Sequence, residues 1–381
     1  MQSFKPVKTA LIGCGMISSQ YLKYCIEKMN VLEIVGCSDI IPERSAKRAE
    51  EFGIKQMTNE EILQDKSIEI VINATYPTAH YEVAKAILEA GKHAYTEKMA
   101  TLTLKEADEL MALANKKGVY QAGAPDTFLG ASLQTARFVL DSGMIGKPVA
   151  ADAILMRSYH HERFYSGEEK RFAFCPGGGI IFDMGSYYLT GLVSLLGPIR
   201  SVCGFSQIRN ANRVYQNPKS PHYQEEMLVE SWNNAAGTLQ FQNGVLCNLL
   251  TSSESGAFEH HFTIYGTEGK LILADPNNFG DPVFIQTKYG EKQQLPMTHA
   301  LGDAARGLGV ADLAYAIRNN RKPRASGEMT RHVLEAALGI CESAETGHTR
   351  MMTTTCSRPE PFLPGYTEYP ELVMDLNERR N

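Results

Sequence analysis

Short apolar runs alternate with amphipathic segments over roughly the first 120 residues, and this alternation constrains the fold more than any other feature. Residues 8–13 (KTALIG), 32–38 (LEIVGCS), 68–73 (IEIVIN), 92–96 (KHAYT) and 119–122 read as buried strands. Between them, 17–29, 43–52, 79–91 and 104–117 read as helices. Ile17, Tyr21, Leu22, Cys25 and Ile26 give the first helix one apolar face, and Gly91 offers the third a stop. Strand–helix alternation of this kind predicts a parallel, doubly wound sheet with right-handed crossovers, assigned to residues 1–126.

Beyond residue 127 the pattern changes. A helix at 129–142 is followed by Gly143 and Gly146-Lys147-Pro148, then by strands near 149–157, 200–207, 227–232, 236–241, 245–251, 260–266, 269–273 and 283–286. Turns at Asn243-Gly244 and Glu268-Gly269 make neighbouring strands antiparallel. Helices return at 304–319 and 328–346, and the proline-rich end (Pro359, Pro361, Pro364, Pro370) reads as an extended surface tail. Residues 127–381 therefore read as an α+β unit on a large, mainly antiparallel open sheet. A chain of 381 residues has ample length for these two units. Its formal net charge of −5 gives no basic patch for nucleic acid. No apolar run reaches the ~18 residues of a membrane span. The start, MQSFKPVKTALIGCG, lacks the long apolar region of a signal peptide. The eight cysteines contain no CxxC and read as unbridged side chains in a reducing cytoplasm.

The first strand runs into Gly13-Cys14-Gly15-Met16-Ile17-Ser18, a GxGxxS turn that opens a helix. Gly13 and Gly15 allow a tight turn and close approach of backbone to a pyrophosphate, and the helix N-terminus at Met16 and Ile17 supplies N–H groups and a favourable dipole. Asp39, closing the second strand, suits the two ribose hydroxyls of NAD and opposes the 2′-phosphate of NADP. The reading is therefore a Rossmann-type dinucleotide site preferring NAD, with NADP as the alternative. Thr75-Tyr76-Pro77 and Glu97-Lys98 follow the third and fourth strands, at the sheet edge where ligands bind. A lysine at Lys98 can hold a substrate hydroxyl there, or it can be a solvated strand end. Further on, GGGIIFDMGSYY (177–188) carries one acid in an apolar stretch. A helix starting near Ile180 would put Asp183 and Tyr187 on one face, one turn apart.

Together, the GxGxx turn, Asp39, Thr75-x-Pro77…His80, Gly91-Lys92-His93…Glu97-Lys98, GGGxxxDMGxY and the late Gly309-Val310-Ala311-Asp312…Arg324-Ala325-Ser326-Gly327 resemble the Gfo/Idh/MocA oxidoreductases over about residues 5–350. The resemblance implies an N-terminal Rossmann domain and a C-terminal domain whose open sheet makes a homodimer or homotetramer. It also implies hydride transfer between NAD(P) and a carbinol carbon of a sugar, polyol or related small molecule. Lys98, Asp183 and Tyr187 take the catalytic positions. Gly13, Gly15, Met16, Ile17, Asp39, Thr75, Pro77, His80, Glu97 and Lys98 take those around the cofactor, with His80 packing or capping rather than reacting. Two departures stand out: Met99 replaces the family proline after Lys98, so the local backbone is expected to differ, and Tyr187 replaces the histidine of many polyol dehydrogenases. A free tyrosine titrates near 10, and a neighbouring Lys98 ammonium is expected to lower Tyr187.

Asp126, after the last strand of the first unit, and the segment with Arg157, Tyr159, His160 and Arg163 are candidates for substrate contacts. His160-His161 and His260-His261 are adjacent pairs that do not face one way, so no metal is expected. Two other functions fit the same fold: an NAD-retaining glycosidase that oxidises its sugar transiently, and a nucleotide-sensing regulator. The regulator reading predicts loss of the trio, which is intact.

Overall fold

The computed structural model describes residues 5–158, 173–303 and 306–364. The first sheet contains β1 (Val7–Ile12), β2 (Leu32–Ser38), β3 (Lys55–Gln56), β4 (Ile70–Asn73), β5 (His93–Thr96) and β6 (Gln121–Gly123), all parallel, in the order β3-β2-β1-β4-β5-β6. Helices α1 (Ser18–Lys28), α2 (Pro42–Phe52), α3 (Asn59–Gln64), α4 (Pro77–Glu89) and α5 (Leu104–Lys117) connect the strands. The doubly wound sheet is thus present. β3 and α3 are not among the elements expected from sequence, because two and six residues are too short to show a period. Local chemistry sets the helix ends. Thr58 with Glu61 and Thr103 with Glu106 form capping boxes on α3 and α5, while Gly53 and Gly118 close α2 and α5 in the left-handed conformation. Strand order reverses between β1 and β4. In such sheets, the crevice at the carboxyl ends of those strands is the ligand site.

A 3₁₀ turn at Thr127–Leu129 and α6 (Ala131–Asp141) lead into a second sheet. It comprises β7 (Pro148–Ser158), β8 (Ile199–Gln207), β11 (Asn234–Phe241), β12 (Leu246–Ser252), β13 (Glu254–Gly266), β14 (Gly269–Leu273), β15 (Phe284–Thr287), β16 (Gln293–Gln294) and β17 (Arg350–Met351), in the order β16-β15-β14-β13-β7-β12-β11-β8-β17. All neighbours are antiparallel except β7 and β12. The strand predicted at 227–232 is instead β10 (Glu226–Leu228), paired with β9 (Asn212–Val214) in a separate ribbon. Alternate residues of β11 and β12 are buried, as expected of a sheet covered on one face. Among the covering elements, α7 (Ile180–Asp183) is followed by α8 (Gly185–Leu196), whose residues are all buried. α9 (Leu308–Arg318) and α10 (Gly327–Thr346) complete the fold. α10 packs on β8, α8, α5 and β6, and so ties the two sheets together.

The chain end departs from the predicted free tail as far as residue 364. Arg137 donates to the Pro359 carbonyl (2.7 Å), the Phe362 amide donates to Gln134 (2.8 Å), and Phe362 and Cys356 are buried. None of the eight cysteines forms a disulfide, and no described helix is long and apolar enough to cross a membrane.

Candidate active site

The GxG turn sits at the strand reversal. Gly13 adopts φ +100, and a Cβ there would lie 2.6 Å from the Ala74 carbonyl carbon and the Thr75 amide nitrogen. Only glycine tolerates both the conformation and the contact. Above Gly15 the opposite holds: a Cβ would meet nothing within 4 Å, leaving room for a ligand to approach the backbone. The N-cap position of α1, Ile17, makes no side-chain cap hydrogen bond, and Met16 is half exposed. Asp39 Oδ2 accepts from the Cys14 amide (2.7 Å) and Oδ1 from the Ile41 amide (2.8 Å), which ties the acid to the turn and leaves each oxygen a further acceptor site. An open glycine, an uncapped helix start and an anchored acid fit a dinucleotide. Arg48, which no sequence motif marks, lies against the same turn, donating to Ser18 Oγ (3.1 Å) and the Gly15 carbonyl (3.4 Å).

Thr75 and His80 act on the loop after β5. The His80 ring is buried, with Nδ1 2.7 Å from the Met99 carbonyl and Nε2 2.9 Å from the Thr75 carbonyl. Burial pushes its pKa down, although both carbonyls favour an N–H on each nitrogen. His80 thus joins the Thr75 loop to the Lys98 loop. Pro77 begins α4 beside it, in the helix's first turn, where no N–H is needed. The Lys98–Met99 peptide is cis, a form that proline would adopt at lower cost than methionine. Glu97 points inward: it accepts from Tyr21 Oη (2.6 Å) and from the Lys98 amide (3.1 Å), so its carboxylate is engaged within the protein.

The apolar stretch after the three glycines forms two helical pieces rather than one. α7 ends at Asp183, Met184 intervenes, and α8 begins at Gly185. Both polar residues still arrive together. Lys98 Nζ lies 2.6 Å from Asp183 Oδ1, and 5.3 Å from the centre of the Tyr187 ring. The glycines serve the protein's own packing: a Cβ on Gly177 would strike Leu102, and one on Gly179 would strike the Trp232 carbonyl and Ser231.

The electrostatics correct one expectation. Tyr187 is pushed above the usual range by burial, which outweighs the lowering by Lys98 and Arg306. Lys98 is held above the ordinary lysine value, because Asp183, Tyr187 and Glu97 overcome the cost of its burial. Its charge is committed first to Asp183. Arg306 is a site residue without a sequence signal, because nothing in its neighbours distinguishes it from a surface arginine. It donates to Tyr187 Oη at 3.0 Å, and its guanidinium lies 5.1 Å from the centre of that ring.

The remaining candidates divide. Asp126 is fully buried and accepts from the Gly307 and Gly309 amides (3.1 and 2.9 Å); in this conformation it anchors the start of α9 rather than facing a cleft. Arg157, at the end of β7, lies over the Phe258 ring at 5.7 Å. Tyr159, His160, His161 and Arg163 fall outside the described residues. His260 and His261 turn to opposite partners, His260 to Tyr188 and Asp275, and His261 to Asp152. Among the described residues, no group of three potential ligands could hold a metal.

A parallel sheet with an open glycine turn at its strand reversal defines a Rossmann-type nucleotide-binding fold, to which the second unit adds a largely buried Lys–Asp–Tyr cluster. The family comparisons sharpen that class. Residues 7–123 match the model described as an oxidoreductase family with NAD-binding Rossmann fold, and residues 133–272 match the GFO/IDH/MocA C-terminal domain. The chain belongs to the Gfo/Idh/MocA family of oxidoreductases. It is 31% identical over 309 residues to an uncharacterised oxidoreductase of Schizosaccharomyces pombe, covering 78% of this chain and 77% of that protein. It is 26% identical to 1,5-anhydro-D-fructose reductase of Ensifer adhaerens, over 90% of this chain and 98% of the relative. Among solved structures, levoglucosan dehydrogenase in complex with NADH superposes with a TM-score of 0.79 at 18% identity, covering 92% of this chain and all (100%) of the other. That last likeness is one of fold.

Proposed function

We propose that this enzyme transfers a hydride between NAD and a carbinol carbon of a sugar, polyol or sugar-derived substrate, with Lys98, Asp183 and Tyr187 as its catalytic residues. The observation that carries the reading is the cluster itself, in which a partly exposed ammonium bonded to a carboxylate lies over a buried phenol beside the carboxyl edge of the first sheet. The relative named for anhydrofructose reduction supports the substrate class.

Gly13 and Gly15 would hold the pyrophosphate, and Asp39 the ribose hydroxyls. A carboxylate there favours NAD over NADP. When bound, NAD supplies the carbon that accepts the hydride. The chain supplies the proton handling. Lys98 would hold the reacting oxygen with its ammonium, and Asp183 keeps that ammonium charged and aimed. Tyr187 would take the hydroxyl proton as phenolate in oxidation, or return it as phenol in reduction. We propose also that two copies pair through the open face of the second sheet, where Phe205, Ala236, Leu250 and Ile154 stand in register across four strands. Phe205 is 79% exposed on this single chain.

The test is turnover of NAD and NADP with a panel of sugars, polyols and their carbonyl counterparts, followed by nicotinamide absorbance, with aryl glycosides assayed in parallel. Turnover unaffected by Tyr187→Phe would sink the catalytic assignment. Glycoside cleavage without net NADH would replace it by the glycosidase reading.

A further inference from the structure

Arg306 is more than nine-tenths buried, yet among the described residues it forms no ion pair with a carboxylate. Its guanidinium lies 5.1 Å from the Tyr187 ring centre and 5.6 Å from that of Phe279, and so is held against two aromatic rings. One terminal nitrogen donates to Tyr187 Oη (3.0 Å) and to the Asn277 side-chain oxygen; the other reaches the Asn277 carbonyl (3.5 Å). Nε has no hydrogen-bond partner among the described residues. The backbone beside it is fixed by Asp126, which accepts the amides of Gly307 and Gly309. A buried cation is costly unless something uses its charge. Among the described residues, the one titratable side chain to which it donates is Tyr187.

We infer that Arg306 is the positioning residue for Tyr187: by donating to the phenol oxygen it turns the hydroxyl hydrogen away from itself, and it stabilises the phenolate left when that proton is transferred. The consequence follows from the hydrogen-bond inventory. A guanidinium only donates, so the phenol oxygen must accept on that side and its single hydrogen must point elsewhere. In oxidation, Tyr187 phenolate takes the substrate's hydroxyl proton while the hydride leaves the same carbon for NAD, giving the carbonyl compound, NADH and the phenol. In reduction, the same bonds are exchanged in reverse. Arg306 neither gains nor loses a proton in either direction.

Four other influences act on the phenol. Lys98 sits over the ring, Asp183 and Glu97 oppose the phenolate, and burial opposes it most. Lys98 is shared with Asp183 at 2.6 Å, whereas Arg306 is bonded to the phenol oxygen itself. Loss of Arg306 therefore removes the donor that favours phenolate most directly, and Tyr187 should titrate higher still.

This inference rests on Tyr187 as the acid–base residue, but its first readout does not. Protein carrying ¹³Cζ-labelled tyrosine, with Tyr187 assigned by Tyr187→Phe, is titrated by NMR as the wild type, Arg306→Met, Arg306→Gln and Arg306→Lys. Removing a charged hydrogen bond should raise the pH at which Tyr187 titrates by about 1–2 in the Met and Gln variants, with Lys falling between them and wild type. Substrate oxidation should then lose about 10- to 100-fold of kcat at neutral pH in those variants and recover as the pH rises, because the phenolate fraction falls about tenfold for every pH unit by which the titration moves up. A merely structural role predicts the same fractional loss at every pH. An unchanged Tyr187 titration in a folded Met or Gln variant overturns the inference. Full turnover by Tyr187→Phe would instead overturn the proposed function, leaving the titration result to stand by itself.

Discussion

The two halves of the site are built in opposite ways. The cofactor edge is local: Gly13, Gly15 and the start of α1 occupy one short stretch, and Asp39 reaches them across one strand pairing, with its carboxylate on the Cys14 amide. The cluster proposed to handle the proton is remote, drawing Lys98 from the loop after β5, Asp183 and Tyr187 from the second unit, and Arg306 from the approach to α9. Local sites depend on backbone conformation and tolerate changes of nearby side chains. Remote clusters depend on compensating charge, because their members are buried together. Damage should therefore appear as loss of binding, with stability where the backbone itself is strained, at the first and as combined loss of rate and stability at the second.

The largest expected effect is on rate. Tyr187→Phe should lower kcat by about 10²- to 10⁴-fold, the usual worth of a general acid–base group, with little change in NAD affinity. Steady-state kinetics and NAD titration separate the two. Lys98→Met should cost comparable rate and also about 2 kcal/mol of stability, since it removes the ammonium bonded to the largely buried Asp183 carboxylate. Denaturant melts of Lys98→Met, Asp183→Leu and the double variant sharpen the point. The double variant should recover much of the stability and none of the activity. If Lys98→Met melts like wild type, the cluster is not charge-compensated and the contrast between the two halves fails.

At the cofactor edge, Gly13→Ala places a Cβ 2.6 Å from the Ala74 and Thr75 backbone at φ +100. It should cost about 2 kcal/mol or more and weaken NAD binding together with stability, read by calorimetry and thermal melts. The smallest effect belongs to Asp39→Asn. NAD should bind about 10-fold more weakly, with the preference over NADP narrowed and kcat nearly unchanged. A large fall in kcat with unchanged affinity would mean that the two halves are not separable.

The first sheet was legible because a strand–helix alternation repeats a pattern that any apolar side chain can report. The regular cofactor loop was legible for a related reason: glycine at Gly13 is demanded by its own dihedral and its immediate neighbours. Legibility fell where elements were short or context decided. β3 and α3 are below the length of a period. β10 has the composition of a core strand but pairs in a side ribbon. Asp126 read as a ligand contact because it follows a strand at the ligand edge; the fold also engages one of its carboxylate oxygens with the amides of Gly307 and Gly309, nearly two hundred positions later.

By itself the sequence determined the α/β architecture, the glycine turn and the acid that closes β2, and the family resemblance of its motifs singled out Lys98, Asp183 and Tyr187 as the catalytic candidates. These depend on periodicity, on dihedral limits and on motif order, all of which are properties of neighbouring residues. Only the tertiary structure decided how the trio is charged. It placed Asp183 on Lys98, brought Arg306 from over a hundred residues away onto Tyr187, and buried the phenol deeply enough that desolvation outweighs both cations. Burial and Coulomb interactions act through space rather than along the chain, so no stretch of sequence carries them.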